Sequence, residues 1–387
     1  MSIAEWFNSP PVQKFRQQIL GDKTVSACAR CTLEEQHNGN SRRLKSNQKS
    51  VIFTRSAFEP SFEQSPGRKH FAKSGLTTTQ PIDMHIDLGN YCNLACKMCN
   101  AQASSVIASQ EVQWGIETSR QYLGTDWTRN QQTWDGFKQQ LLDIPNLNNI
   151  HFMGGETLLT DRFEDLVDTL IAAQRFDICF SFVTNGTVFR PQLLDKLRRF
   201  RRVGIEVSIE TLTEHNSYQR QGTDNALVLN NIERYQQWCN GTSITVALRP
   251  APSALTIGYY PSLLKYALDQ RLVVKSNLCY DPEFLYAGIL PDNVKAQYLE
   301  KYQSLLAELD LVKAHTDYNA SDPNNYREIV KEQAELCKSI LQLPAPDNAD
   351  QLLKQLIEHC RRWDKVYQLN ARALYPEWQE LLDRYGY

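Results

Sequence analysis

Between residues 82 and 277 the chain alternates short β-branched or aromatic runs with longer stretches whose apolar positions recur every three to four residues. The short runs, 82–88, 149–153, 176–183, 203–209, 243–248 and 272–277, predict strands. The longer ones, 96–113, 134–142, 162–174, 191–199, 226–239 and 260–270, predict helices. Strand and helix repeated in this way imply βαβ units around a parallel sheet. Six units suit an α/β fold of the partial (β/α)6 TIM-like barrel kind, and a doubly wound open sheet satisfies the same pattern.

The flanks read differently. Trp6-Phe7, Val12, Phe15 and Ile19-Leu20 predict one short helix stopped at Gly21. From 44 to 80 the chain is polar, carrying Lys45, Lys49, Arg55, Arg68, Lys69 and Lys73 against few acids, and predicts an extended connection. Beyond Leu290 no strand pattern remains. Segments 292–309, 326–341, 349–367 and 374–385 predict helices, with Pro323, Pro344 and Pro346 as punctuation. The expected organisation is an N-terminal cysteine-motif segment with a basic connection (1–80), a barrel (81–285) and a helical C-terminal extension (286–387).

Composition narrows the function. A formal net charge of −2 over 387 residues gives no global basic field for nucleic acid. No apolar run is long enough to span a bilayer, and the first residues lack the charged-then-apolar pattern of a secretory signal. A cytoplasmic protein with no membrane partner is expected. In that compartment the ten cysteines point to metal, catalysis or core packing rather than disulfides. Cys179, Cys239, Cys279, Cys337 and Cys360 are scattered, as small buried apolar residues would be. The other five form two tight groups, Cys28/Cys31 and Cys92/Cys96/Cys99.

The second group lies in Asn90-Tyr-Cys92-Asn-Leu-Ala-Cys96-Lys-Met-Cys99-Asn, directly after the first expected strand. Three thiolates in one loop can hold three corners of a [4Fe–4S] cube and leave the fourth iron open. An open position is what a catalytic metal needs, whereas a structural site is closed by a fourth ligand. Structural zinc, with Cys28/Cys31 as its second half, is the competing reading of Cys96/Cys99. The strand-end position, where barrel active sites gather, favours the catalytic cluster.

Here the chain resembles the radical S-adenosylmethionine (SAM) superfamily, whose hallmark is Cys-x3-Cys-x2-Cys after the first strand. The resemblance implies a cluster at Cys92, Cys96 and Cys99 whose open iron chelates SAM. Reduction then releases methionine and a 5′-deoxyadenosyl radical that takes hydrogen from a substrate. Gly154-Gly155-Glu156 ends the second strand and looks like the family's SAM-ammonium motif. Thr184-Asn185-Gly186 ends the third. Ser208, at the end of the fourth, matches a position that contacts the SAM carboxylate or ribose. Arg220 matches an arginine that pairs with the carboxylate. Met98 stands where the family often has an aromatic residue.

Cys28-x2-Cys31, followed by Glu35, Gly39, Ser41 and Arg43, resembles a motif of twitch-type radical SAM proteins. It implies an auxiliary Fe–S cluster at Cys28 and Cys31, with Cys279 as a further candidate ligand. The resemblance also implies a low-potential electron donor such as flavodoxin or ferredoxin. Substrates of the peptide or small-molecule class lead. RNA, suggested by the basic stretch 42–73, and a non-enzymatic zinc or Fe–S protein are the alternatives.

Overall fold

The computed structural model describes residues 2–20, 25–29, 31–32, 35, 43–44, 74–77, 80–124, 126–315 and 325–387. Gly21, Gly39, Ser41 and the lysines and arginines named between 45 and 73 lie outside the described residues, so the expected basic connection does too. The chain divides into two compact units, residues 1–82 with 136–147, and residues 83–135 with 148–387.

In the first unit the single expected helix is two, α1 (Ile3–Phe7) and α2 (Pro10–Leu20). Pro10 has no N–H to continue α1, and its ring would clash with the carbonyl of Trp6, so it starts a new helix instead. Ser2 and Glu5 close a reciprocal capping box at the start of α1. The side chain of Asn8 then holds the backbone of Thr77, donating to its oxygen at 2.9 Å and accepting from its nitrogen at 3.1 Å.

The second unit carries β1 (Asp83–Asp87), β2 (Ala95–Cys96), β3 (Asn149–Met153), β4 (Cys179–Thr184), β5 (Arg202–Val207), β6 (Arg220–Gln221), β7 (Ile244–Leu248) and β8 (Val273–Val274). Six of these form one parallel sheet in the order β1-β3-β4-β5-β7-β8. The spatial order follows the chain order with no reversal. A doubly wound sheet requires such a reversal, so the partial barrel is the correct alternative. Among the described residues β8 does not pair with β1, and the barrel is open.

The helices between strands are α3 (Ser105–Gln113), α4 (Gln131–Leu142), α5 (Asp161–Ala172), α6 (Pro191–Leu197), α7 (Glu214–Gln219), α8 (Asn225–Cys239) and α9 (Tyr260–Asp269). α5 shows why they lie on the sheet. Its buried Phe163, Leu166, Val167 and Leu170 fall at i, i+3, i+4 and i+7, and Phe163 meets Phe152 and Phe182 edge-on or tilted at 4.9 and 5.2 Å. The other face of the sheet is polar. Along one register row it carries His85, His151, Ser181, Gly204 and Thr245. Parallel strands covered on both faces usually read as continuous apolar runs. The alternation here marks the second face as a lined site rather than a core.

Three expectations need correction. The helix forecast over 96–113 begins only at Ser105, because Ala95–Cys96 pairs with Arg220–Gln221 and the Lys97 N–H donates to Gln219. The strand forecast over 272–277 is regular only at Val273–Val274. Lys275, Asn277 and Cys279 still donate to Leu248, Pro250 and Pro252, but the prolines have no N–H to return, so the ladder is one-sided. The last forecast helix, 374–385, breaks at Pro376 into α13 (Ala371–Leu374), a 3-10 turn and α14 (Gln379–Arg384).

Before these come the three long C-terminal helices α10 (Asp292–His315), α11 (Tyr326–Gln342) and α12 (Ala349–Tyr367). They pack on the barrel with buried stripes such as Val330, Ala334, Cys337 and Leu341. Cys337 and Cys360 are wholly buried, in keeping with apolar core residues. Tyr302 and Tyr375 donate to the carbonyls of Ile257 and Leu255, tying these helices to the loop after β7.

Three histidines of this unit, His151, His215 and His359, are pushed by burial to a pKa of about 4. The unfolded chain takes up protons on them near its ordinary value of about 6.5 while the folded chain does not. Stability is therefore expected to fall as pH drops from about 6.5 toward 4. Guanidinium midpoints at pH 7.5 and 5 measure this, and a combined H151N/H359F variant should show a smaller drop than the parent.

Candidate active site

The three cysteines of the loop after β1 are free thiols. Cys96 is 4% exposed, and Cys92 and Cys99 are half-buried. Burial pushes the Cys92 thiol up to about 11. A hydrogen bond with Cys99, together with burial, holds the Cys96 thiol above its ordinary value. Ser105 Oγ accepts from the Cys92 N–H at 3.2 Å, and the Cys99 N–H turns back to the Cys96 carbonyl at 2.9 Å.

The end of β3 lies on this loop. Gly154 and Gly155 both have positive φ, +87° and +51°. A Cβ on Gly154 would stand 1.8 Å from Asp87 Oδ1, and one on Gly155 would stand 2.3 Å from the Tyr91 carbonyl oxygen. That closeness lets the Glu156 N–H reach the Tyr91 carbonyl at 2.8 Å, one residue before Cys92. The Glu156 side chain is buried and bracketed. Its Oε1 accepts from the Thr184 hydroxyl at 2.7 Å and from the Leu158 N–H at 3.1 Å, while Oε2 accepts from the Asn185 N–H at 2.6 Å. Burial pushes this carboxyl up, and the three donors offset part of the rise. A carboxylate offers about four acceptor positions, so Oε2 retains one.

Asn185 carries the tie onward. Its Nδ2 donates to Asn93 Oδ1 at 2.8 Å, and Asn93 Nδ2 donates to Thr187 Oγ1 at 3.0 Å. Asn93 sits between Cys92 and Leu94, so the ends of β3 and β4 both hold the cysteine loop. Ser208 follows β5, and its N–H donates to the Thr184 carbonyl at 2.8 Å. Its hydroxyl has no hydrogen-bond partner among the described residues.

Arg220 sits opposite Cys96 in the β2–β6 pair. Glu210 grips it through Nε at 2.5 Å and Nη2 at 2.8 Å, and its Nη1 points at Cys96 Sγ at 3.7 Å. Burial opposes the guanidinium charge, but Glu210 and Cys96 outweigh it and raise the pKa. In this arrangement the fork is filled by Glu210, and its remaining edge faces a thiol.

The polar face of the sheet continues the site. Glu206 pairs with Arg249 and, at 2.6 Å, with Lys275. Burial pushes the Glu206 carboxyl up, but these two cations more than reverse it. His151 Nδ1 shares a hydrogen bond with Ser181 at 2.7 Å, and its ring lies 4.9 Å from that of His85.

Sequence reasoning missed Lys97, Glu210 and Trp363. Lys97 is 2% exposed, donates to the Tyr218 carbonyl, and lies 3.5 Å from the Tyr218 ring centroid and 5.1 Å from that of Trp363. Burial lowers its pKa to about 8. Trp363 shares an apolar cluster with Ala95 and Ile107, and Cys99 packs against that cluster. The only signal for Trp363 was the helical apolar spacing of its segment.

The second cysteine group belongs to the first unit. Cys28 ends a short 3-10 turn, and Cys28 and Cys31 are both half-buried. Arg43 pairs with Glu35, which raises the guanidinium pKa, and the thiols of Cys31 and Cys28 add to the rise. Cys279, in the other unit, is buried with its thiol 3.5 Å from the Asp281 carbonyl oxygen.

Residues 86–249 match the family model of the radical SAM superfamily. The matched stretch runs from within β1 to just past β7 and includes the three-cysteine loop. Members of that superfamily are enzymes. No curated protein matches the chain in sequence. Among solved structures, it is similar to Streptococcus suis SuiB bound to precursor peptide SuiA, at 12% identity and a TM-score of 0.41, covering 63% of this chain and 50% of that one. It is similar to native anSMEcpe with bound AdoMet, at 17% identity and a TM-score of 0.44, covering 60% of this chain and 63% of that one. It is similar to TYW1 with a lysine-pyruvate adduct, at 12% identity and a TM-score of 0.33, covering 59% of this chain and 73% of that one. The chain thus spans half the length of the SuiB structure.

The three-cysteine loop fits a cluster by its donor chemistry. Three free thiols come from one loop, and a buried cation faces one of them. Among the described residues no three His, Cys, Asp or Glu side chains close around a single metal ion. In a [4Fe–4S] cube, where iron and sulfide alternate at the corners, each thiolate binds its own iron.

Gly155→Ala tests the seam between the two loops. The left-handed backbone and the contact with Tyr91 should lower stability by about 1–2 kcal/mol or more. Cys96 should react faster with a thiol reagent, and an unchanged labelling rate would show that the seam does not hold the loop.

Proposed function

We propose that this protein is a radical SAM enzyme that reductively cleaves SAM at a [4Fe–4S] cluster and abstracts hydrogen from a peptide or small-molecule substrate. One observation carries the reading. Inside the stretch matched by the family model, three free thiols share a loop that the ends of β3 and β4 hold by hydrogen bonds through Tyr91 and Asn93.

Cys92, Cys96 and Cys99 would hold the cluster. When bound, the cluster and SAM supply one-electron cleavage of a carbon–sulfur bond and a carbon-centred radical. The chain's own part is aim and shielding. Glu156 fixes the ends of β3 and β4, and its remaining acceptor position on Oε2 suits an ammonium. The free hydroxyl of Ser208 offers a further polar contact for SAM. Glu210 keeps the Arg220 charge beside Cys96, where it offsets thiolate charge. The face lined by His85, His151, Glu206, Arg249 and Lys275 supplies charged and hydrogen-bonding groups for a polar substrate.

We further assign an auxiliary Fe–S cluster to Cys28 and Cys31, in keeping with the twitch-type motif. The Cys-x2-Cys spacing, followed by the paired Glu35 and Arg43 of that motif, supports it.

Purified and reconstituted without oxygen, the protein should be brown and should form 5′-deoxyadenosine from SAM with dithionite. Cys96→Ala should abolish that product. A Cys92/Cys96/Cys99 triple-alanine variant should retain iron and sulfide at Cys28/Cys31. A colourless protein with stoichiometric zinc and no nucleoside product would end the enzyme reading, and a triple variant free of iron would end the auxiliary assignment.

A further inference from the structure

The loop that carries Cys99 touches an apolar cluster whose far side reaches the surface. Trp363 is 4% exposed and shares this cluster with Ala95 and Ile107, with Cys99 packed against it. Its ring meets that of Trp114 edge-on, centroids 6.3 Å apart. Trp114 in turn is 37% exposed. Two indole rings thus connect solvent to the cysteine loop.

The ground around Trp114 is unusual for a surface. Trp114, Ile116 and Val366 are all large, apolar and exposed, and they line one groove with Arg362 and Lys365. The Arg362 guanidinium stands 5.9 Å from the Trp114 ring centroid. Along the exposed stripe of the same helix Lys354, Arg362 and Lys365 outnumber Glu358. Acids on the neighbouring segment are engaged: Glu111 accepts from Ser119, and Glu117 pairs with Arg120. An apolar centre with an aromatic anchor and a cationic rim is the composition of a protein-binding patch.

We propose that this groove docks a small acidic one-electron carrier protein that reduces the cluster through Trp114 and Trp363. The inference rests on the radical SAM reading, which requires an external electron. In the step the carrier loses one electron and the cluster gains one, with no bond broken and no proton moved. The cationic rim selects an acidic partner and steers its approach, and the apolar floor excludes water from the contact. The position of the patch, one ring from the apolar cluster against which Cys99 packs, is what commits it to a redox partner rather than to any acidic protein.

A flavodoxin of acidic isoelectric point, with its NADPH-dependent reductase, serves as the probe against the holoenzyme. Binding is read by anisotropy of labelled flavodoxin at low and high salt. Turnover is read as 5′-deoxyadenosine formed with reduced flavodoxin and, separately, with dithionite. R362E/K365E and Trp114→Ala should each weaken flavodoxin binding by about tenfold or more and slow flavodoxin-driven turnover, because the rim charges and the anchor are lost. Dithionite-driven turnover should stay at the parent rate.

Unchanged flavodoxin binding in R362E/K365E overturns the proposal. So does an equal fall with both reductants, which would make the patch structural. Self-association abolished by the same variant, with flavodoxin binding intact, also overturns it and assigns the groove to a second copy of the chain. If the parent protein forms no 5′-deoxyadenosine even with dithionite, the radical SAM reading itself fails, and the two failures are distinct.

Discussion

Everything at the site hangs on the buried carboxylate of Glu156. It accepts from a side chain and two backbone N–H groups, and two of those donors, Thr184 and Asn185, belong to the end of β4. Its own N–H meanwhile holds Tyr91 in the cysteine loop. One residue therefore joins two strand ends and the loop between β1 and α3. A buried carboxylate is costly unless its acceptor positions are met, so the arrangement is stable only as a whole. The glycines before it matter for the same reason. Any Cβ there would push the end of β3 off Asp87 and Tyr91.

A second bracket works from below. Arg220 and Glu210 form a buried bidentate pair in which a further donor, the Ala251 N–H on Glu210 Oε1 at 3.2 Å, uses up another acceptor position. Removing one partner of such a pair typically costs about 3–5 kcal/mol, because the other charge is left stranded. The pair holds a cation beside Cys96. Lys97 adds another cation, enclosed by Tyr218 and by Trp363 from the C-terminal helix. The C-terminal region is thus part of the wall of the cysteine loop.

Much of this was legible in the sequence, and the reason is physical. Strands and helices of the barrel follow the apolar periodicity because each helix buries one stripe on one face of the sheet, as α5 does with Phe163, Leu166, Val167 and Leu170. The Gly-Gly-Glu and Thr-Asn-Gly segments could be placed because strand ends are local features. The cysteine loop was misread as helical because its backbone bonds go to Gln219 and Arg220, more than a hundred residues away, which no local pattern records. The shortness of β8 follows from prolines on its neighbour rather than from its own composition. Lys97 and Trp363 were invisible as site residues for a related reason. Their meaning lies in a contact between the first loop of the barrel and its last long helix.

Alternation in a parallel sheet is the feature that links fold to chemistry. His85, His151, Ser181 and Glu206 occupy positions that an apolar core would fill with aliphatic side chains, and they face away from the helices. A sheet built this way presents one polar face. The free hydroxyl of Ser208 and the bracketed Glu156 sit at the strand-end rim of that face.

The most direct test of the central claim is electron paramagnetic resonance of the dithionite-reduced, reconstituted protein before and after adding SAM. A reduced [4Fe–4S] component that changes on SAM addition is expected, and that component should disappear in Cys96→Ala while any signal of the Cys28/Cys31 cluster remains. A signal indifferent to SAM, or a protein that holds only zinc, would contradict that claim.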